Sequence, residues 1–420
     1  MLDLTVQFSI FLTRIATMRT SLALSALLGT ASSLPAEVSL DQRAASDPYN
    51  PPRVLAYVQT FRRYQDTNQF SLLPMISNPT QITHVYLSSL HINSDPNAIT
   101  LNDNNPNSSV FSTVWQEAAQ LQAKGVKVLY MMGGAAAGSY PRLCSGPSST
   151  IVNETYYKAL YYELKYHKLD GIDLDIEEKV AYTCPLALLQ RLAKDFGSNF
   201  ITTMSPVASE LQASGYGLGG FSYKTLDSKA TLSTKPNGKL INWFNPQFYN
   251  GWGDASNVNG YNAIVKNGYA ANRVAFNMLA AQNDGGSGWK PIATYQKVVA
   301  TLKANYGSKF GGTNGWEYWD AGRNDNMSEP WKWVGTLGNS VYGTSYNMAK
   351  RDADESYAEL EERQIAQDFN STITLGDSPW PALTNQLKIL GVVQLAAVRA
   401  LNISSGNLAQ ALQILGLPPL

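Results

Sequence analysis

Residues 170–177, Asp-Gly-Ile-Asp-Leu-Asp-Ile-Glu, constrain this chain more than any other stretch. From Asp173 onward an acid alternates with a branched aliphatic residue. Successive side chains of a strand leave on opposite faces, so Asp173, Asp175 and Glu177 share one face, while Ile172, Leu174 and Ile176 share the other. A solvated acidic face is not threaded with Ile, Leu and Ile. A calcium loop needs a glycine at its sixth position and polar spacers, and the spacers here are strong β-formers. The pattern therefore predicts a buried strand with an acidic side. Three neighbouring carboxylates in a partly dry site cannot all ionise, so their pKa values must spread apart, as general acid/base chemistry requires.

Charge and residue usage narrow the chemistry. The 32 Lys plus Arg balance 32 Asp plus Glu, which leaves no electrostatic reason to seek nucleic acid. Of three histidines, His84 and His91 lie seven apart on a predicted strand, hence on opposite faces, and His167 ends a helical segment. No metal triad or Ser-His-Asp set is visible, so hydrolysis would rest on carboxylates, without cofactor or metal. Nine Trp and twenty-three Tyr offer the stacking area and polar handle that suit carbohydrate faces, though large cores use them too.

Residues 1–36 read as a secretory signal: Arg19 precedes the apolar run 22–28, and Leu34-Pro35-Ala36 fits a cleavage site. Met18 offers a second start, and neither apolar run in this leader reaches the ~18–20 residues of a membrane span. Residues 37–52 are expected to be a short propeptide or linker. An extracellular protein agrees with the sequons at Asn107, Asn153, Asn326, Asn370 and Asn402. It also favours pairing Cys144 with Cys184, the only cysteines, both expected in loops after strands; unpaired thiols are the alternative. That bond closes a loop worth about 4 kcal/mol in the chain-entropy model. Beyond Ala349, the dibasic Lys350-Arg351, the acidic stretch 352–363 and the helical spacing of 383–401 predict a tail, 349–420, either processed or an appended helical hairpin. Lys388, Gln394 and Arg399 argue against a membrane span there.

Between these ends, β-rich runs at 54–59, 82–92, 126–133, 171–177, 200–206, 241–249, 274–281 and 310–316 alternate with helical patterns, among them 114–124, 156–165, 186–196 and 295–306. Eight such units predict an α/β fold, a closed (β/α)8 TIM barrel over 53–348. An open doubly wound sheet is the rival, but no Gly-rich phosphate fingerprint follows the first strand. A barrel places its active site at the C-terminal strand ends. Glu177 sits there, as do Tyr57, Gly133-Gly134, Met204 with Ser205, Gln247 through Asn250, and Trp316 through Trp319.

The spacing Asp170-x-x-Asp173-x-Asp175-x-Glu177 resembles the signature of glycoside hydrolase family 18, the chitinases and endo-β-N-acetylglucosaminidases. Gly133-Gly134 is similar to the family's third-strand Ser-x-Gly-Gly, with Met131 where the serine usually stands. Gln247-x-Tyr249-Asn250 and Trp316 resemble its sixth-strand motif and last-strand tryptophan. The resemblance implies cleavage of a β-1,4 link after an N-acetylglucosamine with retention, the substrate's acetamido oxygen being the nucleophile. It implies Glu177 as general acid and Asp175 as the clamp on the acetamido N–H. Asp173 would share charge with Asp175, Tyr249 would donate to the acetamido group, and Trp316 would floor the sugar. Tyr57, Gly134, Gln247, Asn250 and Met204 complete the expected substrate contacts, while Asp170, on the opposite face, is expected to be structural.

The segment between strands seven and eight is too short for the α+β insertion that deepens the cleft in many members of this family. Ser88 to Asn93, Gly133 to Ala136 and Thr313 to Tyr318 look like secreted fungal endo-β-N-acetylglucosaminidases that trim N-glycans. The expected substrate is thus a glycan containing N-acetylglucosamine, an N-glycan core ahead of chitin, taken by a monomer. A non-catalytic lectin-like barrel is a third reading, disfavoured by the presence of Glu177.

Overall fold

The computed structural model describes residues 51–61, 70–144, 150–215 and 217–343. Signal and tail assignments, with Asn370 and Asn402, lie outside them. The described strands are β1 (Arg53–Val58), β2 (His84–His91), β3 (Thr100–Leu101), β4 (Lys127–Gly133), β5 (Gly171–Asp175), β6 (Ile201–Met204), β7 (Trp243–Phe244), β8 (Phe276–Leu279) and β9 (Gly312–Trp316). All but β3 pair in parallel, in the order β7-β6-β5-β4-β2-β1-β9-β8. Parallel bridges Phe244–Val274 and Gln247–Asn277 join the two ends of this row, so the sheet closes into the expected barrel. β3 pairs antiparallel with the end of β2, off the ring.

Alternation along each strand divides the core in two. Val54, Ala56 and Val58 face the helices, while Leu55 and Tyr57 face inward. Tyr86, Leu129, Met131, Ile201, Trp243 and Ala275 fill the rest of the interior, so the barrel is packed rather than hollow. The helices that cover it are α1 (Pro74–Ser77), α2 (Ser112–Ala123), α3 (Ser139–Leu143), α4 (Glu154–Tyr166), α5 (Thr183–Phe196), α6 (Ala208–Leu211), α7 (Tyr223–Lys229), α8 (Asn259–Lys266), α9 (Ile292–Tyr306) and α10 (Pro330–Tyr342). α4 shows how local sequence sets them. Asn153 caps it by accepting from the Thr155 N–H at 3.1 Å, and Tyr157, Leu160 and Leu164 bury one face. Its C-terminal end leads to Asp170, which accepts from Lys127 Nζ at 3.0 Å, Gln122 Nε2 at 2.8 Å and the Val128 N–H at 2.9 Å. Asp170 thereby ties the start of β5 to β4 and α2.

Three local expectations change. The sixth stave is expected over 241–249, but its ladder, β7, stops at Phe244 and resumes as a bridge at Gln247, because Pro246 has no N–H to donate. The register of β2 shifts between Leu87 and Leu90. Leu87 and Leu90 consequently both face the helices, which turns Ser89 inward and places His91 on the same side as His84 rather than opposite it. Cys144 and Cys184 form a disulfide, yet neither stands in a simple loop: Cys144 caps the end of α3 and Cys184 lies in the first turn of α5. The bond ties the connections after β4 and β5 together. Between β8 and β9, α9 and short 3₁₀ turns are the regular structure present, so no α+β insertion stands there. Among the described residues no helix is long and apolar enough to cross a membrane, and no three His, Cys, Asp or Glu group to hold a metal.

Candidate active site

β5 carries its acids into the barrel mouth at three depths. The deepest, Asp173, is fully buried and pairs in register with Met131 of β4 and Thr203 of β6. It accepts from the hydroxyls of Tyr57 at 2.8 Å, Ser205 at 2.7 Å and Thr203, and from Asn245 Nδ2 at 3.3 Å. Burial raises its pKa, and these donors oppose the rise by favouring the carboxylate.

Asp175, one step nearer the mouth, lacks such a cage. Gln247 Nε2 approaches its Oδ1 at 3.1 Å. Burial first, then the charges of Glu177 and Asp173, hold the Asp175 carboxyl well above the usual carboxylate range. Glu177 follows two residues beyond the last paired position of β5 and is half-buried. Its Oε1 lies 3.0 Å from the same Gln247 Nε2, which also donates to the Ser205 carbonyl at 3.1 Å. One amide thus sets the spacing of both carboxyl groups. Tyr249, from the same segment, is buried and kept protonated by desolvation and by the Asp175 and Glu177 charges, so its hydroxyl is available as a donor.

The glycines after β4 permit this arrangement. Gly133 has φ +100°, and a Cβ there would stand 2.1 Å from the Asp175 carbonyl oxygen. Gly134, at φ +90°, donates its N–H to that same oxygen at 3.0 Å. We expect Gly133→Ala to cost about 1–3 kcal/mol in urea melts through overpacking. By displacing Asp175 it should also lower kcat on the order of 10²-fold, measured on the same preparation. Unchanged kcat at reduced stability would separate the glycine from the site.

On the opposite rim stands Trp316, half-buried, with its ring edge-on to Tyr57 at 5.5 Å. The next residue, Glu317, accepts the Gln59 N–H at 2.7 Å, the Thr60 N–H at 2.9 Å and the Thr60 hydroxyl at 2.6 Å, locking the end of β9 onto the end of β1. Its own N–H donates to Asp284 Oδ2 at 2.9 Å. Asp284 in turn hydrogen-bonds the Asp320 carboxyl, and burial with that acidic neighbour pushes the Asp284 pKa up to about 9. Burial also lifts Glu210 to about 7.

Such acids hold their protons in the native state while the unfolded chain loses them above ~4. Their stabilising contribution is therefore complete below pH ~4 and is lost as pH rises through the raised native values. Asparagine reproduces a neutral Asp284, with an oxygen for the Glu317 N–H and a donor for Asp320. We expect Asp284→Asn to match the wild-type melting temperature near pH 4 and to exceed it increasingly toward pH 9 by calorimetry. A constant difference across that range contradicts the assignment.

Of the residues expected here, Asp173, Asp175, Glu177, Gly134, Gln247, Tyr249 and Trp316 converge on the mouth. Three others do not serve as expected. Met204 is fully buried in the outer core, because Ile201 and Thr203 take the inward positions of β6 and alternation sends Met204 toward the helices. Tyr57 is 1% exposed and bonded to Asp173, so it backs the site rather than lining it. Asn250, in a left-handed conformation at φ 55°, accepts with its side-chain Oδ1 from the Gly286 N–H at 2.8 Å and the Ser287 N–H at 3.2 Å. It holds the loop after β8 against Tyr249. Thr203 and Asn245 carry no mark in the sequence, and Ser205 stands out only by its place at a strand end; the register of β6 against β5 is what turns Thr203 and Ser205 toward the acids. Nothing in the sequence spacing marks Asp284 or Asp320, and Glu317 is marked only by its place in the strand-end run 316–319, with no role attached.

Comparison with known proteins agrees with this geometry. The sequence model of glycosyl hydrolases family 18 matches residues 53–315. A fungal endo-β-N-acetylglucosaminidase of that family superposes with a TM-score of 0.62 at 34% identity, over 69% of this chain and 98% of that structure. A chitinase from Aspergillus fumigatus does so with a TM-score of 0.59 at 35% identity, over 69% and 99%. Chitinase 2 of Rhizopus oligosporus is 25% identical over 242 residues, 53% of this chain and 40% of its own length. The chain spans about two-fifths of the length of the Rhizopus chitinases it matches.

Proposed function

This chain belongs to glycosyl hydrolases family 18 and is a glycoside hydrolase of the chitinase or endo-β-N-acetylglucosaminidase type, and from that premise we propose that it cuts the GlcNAc-β-1,4-GlcNAc bond in the core of N-glycans. In this reading Glu177 protonates the glycosidic oxygen as the C1–O bond breaks, and the substrate's acetamido oxygen forms the new bond to C1. Asp175 accepts the acetamido N–H, and its negative charge balances the oxazolinium ion. Water, deprotonated by Glu177, then opens the ring and restores the β configuration. Tyr249 donates to the acetamido oxygen, Asp173 supports Asp175 from below, and Trp316 floors the sugar.

The observation that carries the mechanism is the Gln247 amide, 3.1 Å from Asp175 and 3.0 Å from Glu177. It holds the two acids as neighbours with different surroundings, one deeply buried and the other at the mouth. An incoming N–H favours the ionised form of Asp175, so substrate binding moves the proton of the pair toward the leaving-group side.

Two features support a protein-borne glycan. The connection from β8 to β9 builds no wall beyond α9, and the loop after Gly134 offers only the exposed Ala135, Ala136 and Ala137. A shallow rim accommodates the bulk of a glycoprotein. The similarity to the Aspergillus chitinase favours chitin oligomers as the second reading. The chain is read as secreted and monomeric, with residues 1–36 as leader and 349–420 as tail. Asn153 and the exposed Asn326 are its proposed glycan acceptors; Asn107 is a weaker one, its amide donating to Glu163 at 3.3 Å. Incubating the protein with a high-mannose glycoprotein and with chitopentaose, beside a Glu177→Gln control, decides by mass spectrometry. Loss of the glycan down to one residual sugar supports the proposal; shortening of chitopentaose alone overturns it in favour of the second reading.

A further inference from the structure

Glu210, in α6, is a buried carboxyl that the proposed chemistry does not use; it is 4% exposed. Its Oε1 accepts the Gly219 N–H at 2.8 Å, while its Oε2 is buried with no hydrogen-bond partner among the described residues. Gly217 makes room for it, since a Cβ there would lie 2.1 Å from Glu210 Cγ. The far side of the same turn reaches the acid-bearing loop. The Gly219 carbonyl accepts the Val180 N–H at 3.1 Å, and a Cβ on Gly220 would lie 3.2 Å from Lys179 Cγ. The turn 217–220 is therefore held between Glu210 and the segment that begins directly after Glu177.

We propose that Glu210 is a positioning residue for Glu177, clamping the glycine turn that props the loop beyond it and placing a second carboxylate behind the catalytic pair. The proposal rests on reading Glu177 as the acid. Glu210 shares its surroundings with Glu177 and Asp175 of the β5 segment, Tyr223 of α7 and Tyr269 beyond α8, with Lys179 against the turn. Lys179 is the cation among them, and it is exposed. Burial holds the Glu210 pKa at about 7 against the backbone N–H groups that pull it down, and the Glu177 charge adds to the rise. As pH passes neutral, Glu210 ionises and the field on Asp175 grows.

The test compares Glu210→Ala and Glu210→Gln with wild type from pH 4 to 9, on chitopentaose and on a high-mannose glycoprotein. Glu210→Ala should lose tenfold or more in kcat with KM little changed, because the acid is displaced rather than the sugar released. Glu210→Gln keeps an oxygen for the Gly219 N–H and should restore most of the kcat below pH 6. Lacking the charge, it should shift the alkaline limb of the kcat/KM profile to lower pH by about half a unit. A purely structural clamp would lower the melting temperature of Glu210→Ala and leave the Glu210→Gln profile superimposed on wild type; that outcome overturns the proposal. A readout independent of turnover is the carboxyl ¹³C titration of Glu210. Its midpoint should fall in the Glu177→Gln protein, and an unmoved midpoint also overturns the proposal. If wild type cleaves neither probe, the reading of Glu177 as the acid fails, and the titration still decides the coupling.

Discussion

Glu177→Gln should lower kcat by about 10²–10⁴-fold, the range that a positioned general acid supplies, with little change in KM or in melting temperature. Gln preserves the side-chain length and an oxygen that can accept from Gln247, which approaches Glu177 at 3.0 Å in the native protein. It removes only the transferable proton. Glu177 is half-buried and stands beyond the paired part of β5, so the barrel does not depend on it. Steady-state kinetics with circular dichroism on one preparation check this. A variant within tenfold of wild type would remove Glu177 from the proton transfer.

Asp175→Asn is the second large effect, on the order of 10²–10³-fold in kcat, comparable to deleting one electrostatic stabiliser of a developing charge. Asparagine imitates the neutral form that burial favours at this position, so the resting protein should keep or gain stability. What it cannot supply is the negative charge that balances a cationic intermediate. Asp170→Asn serves as the contrast. Asp170 bonds Lys127, Gln122 and the Val128 N–H on the outer side of the sheet, so that variant should lose stability and keep its turnover per folded molecule. If Asp170→Asn and Asp175→Asn lose turnover alike, the division of β5 into a catalytic and a supporting face is wrong.

The sequence displays what alternation controls. Asp173, Asp175 and Glu177 share a face because strand parity is fixed by backbone geometry, and the same parity buries Ile172, Leu174 and Ile176 among the helices. Eight strand–helix units make the barrel legible, and the barrel says which strand ends meet. Parity needs a register, however, and register is a property of neighbouring strands. Met204 and Ser205 are adjacent in sequence, and only the pairing of Asp173 with Thr203 shows that Ser205 faces the acids and Met204 does not. The irregular points were equally hidden. The shift in β2 that turns His91 inward arises from pairing with β4, and it cannot be read from β2 alone. Asp284 closes a 3₁₀ turn, Glu317 directly follows β9 and Glu210 stands in the four-residue α6, all too short or irregular to show a repeating pattern, and hydrogen bonds to other segments set their roles.

In the proposed mechanism the substrate carries its own nucleophile, and Asp175 with Tyr249 orients it. Matched aryl β-glycosides bearing either a 2-acetamido or a 2-hydroxyl group test this directly, because the two differ only in the group that attacks C1. The acetamido substrate should be hydrolysed with initial release of the β anomer, followed by NMR, and the hydroxyl substrate should react more slowly by about 10³-fold or more, the order of a lost intramolecular nucleophile. Comparable rates on the two substrates would contradict that mechanism.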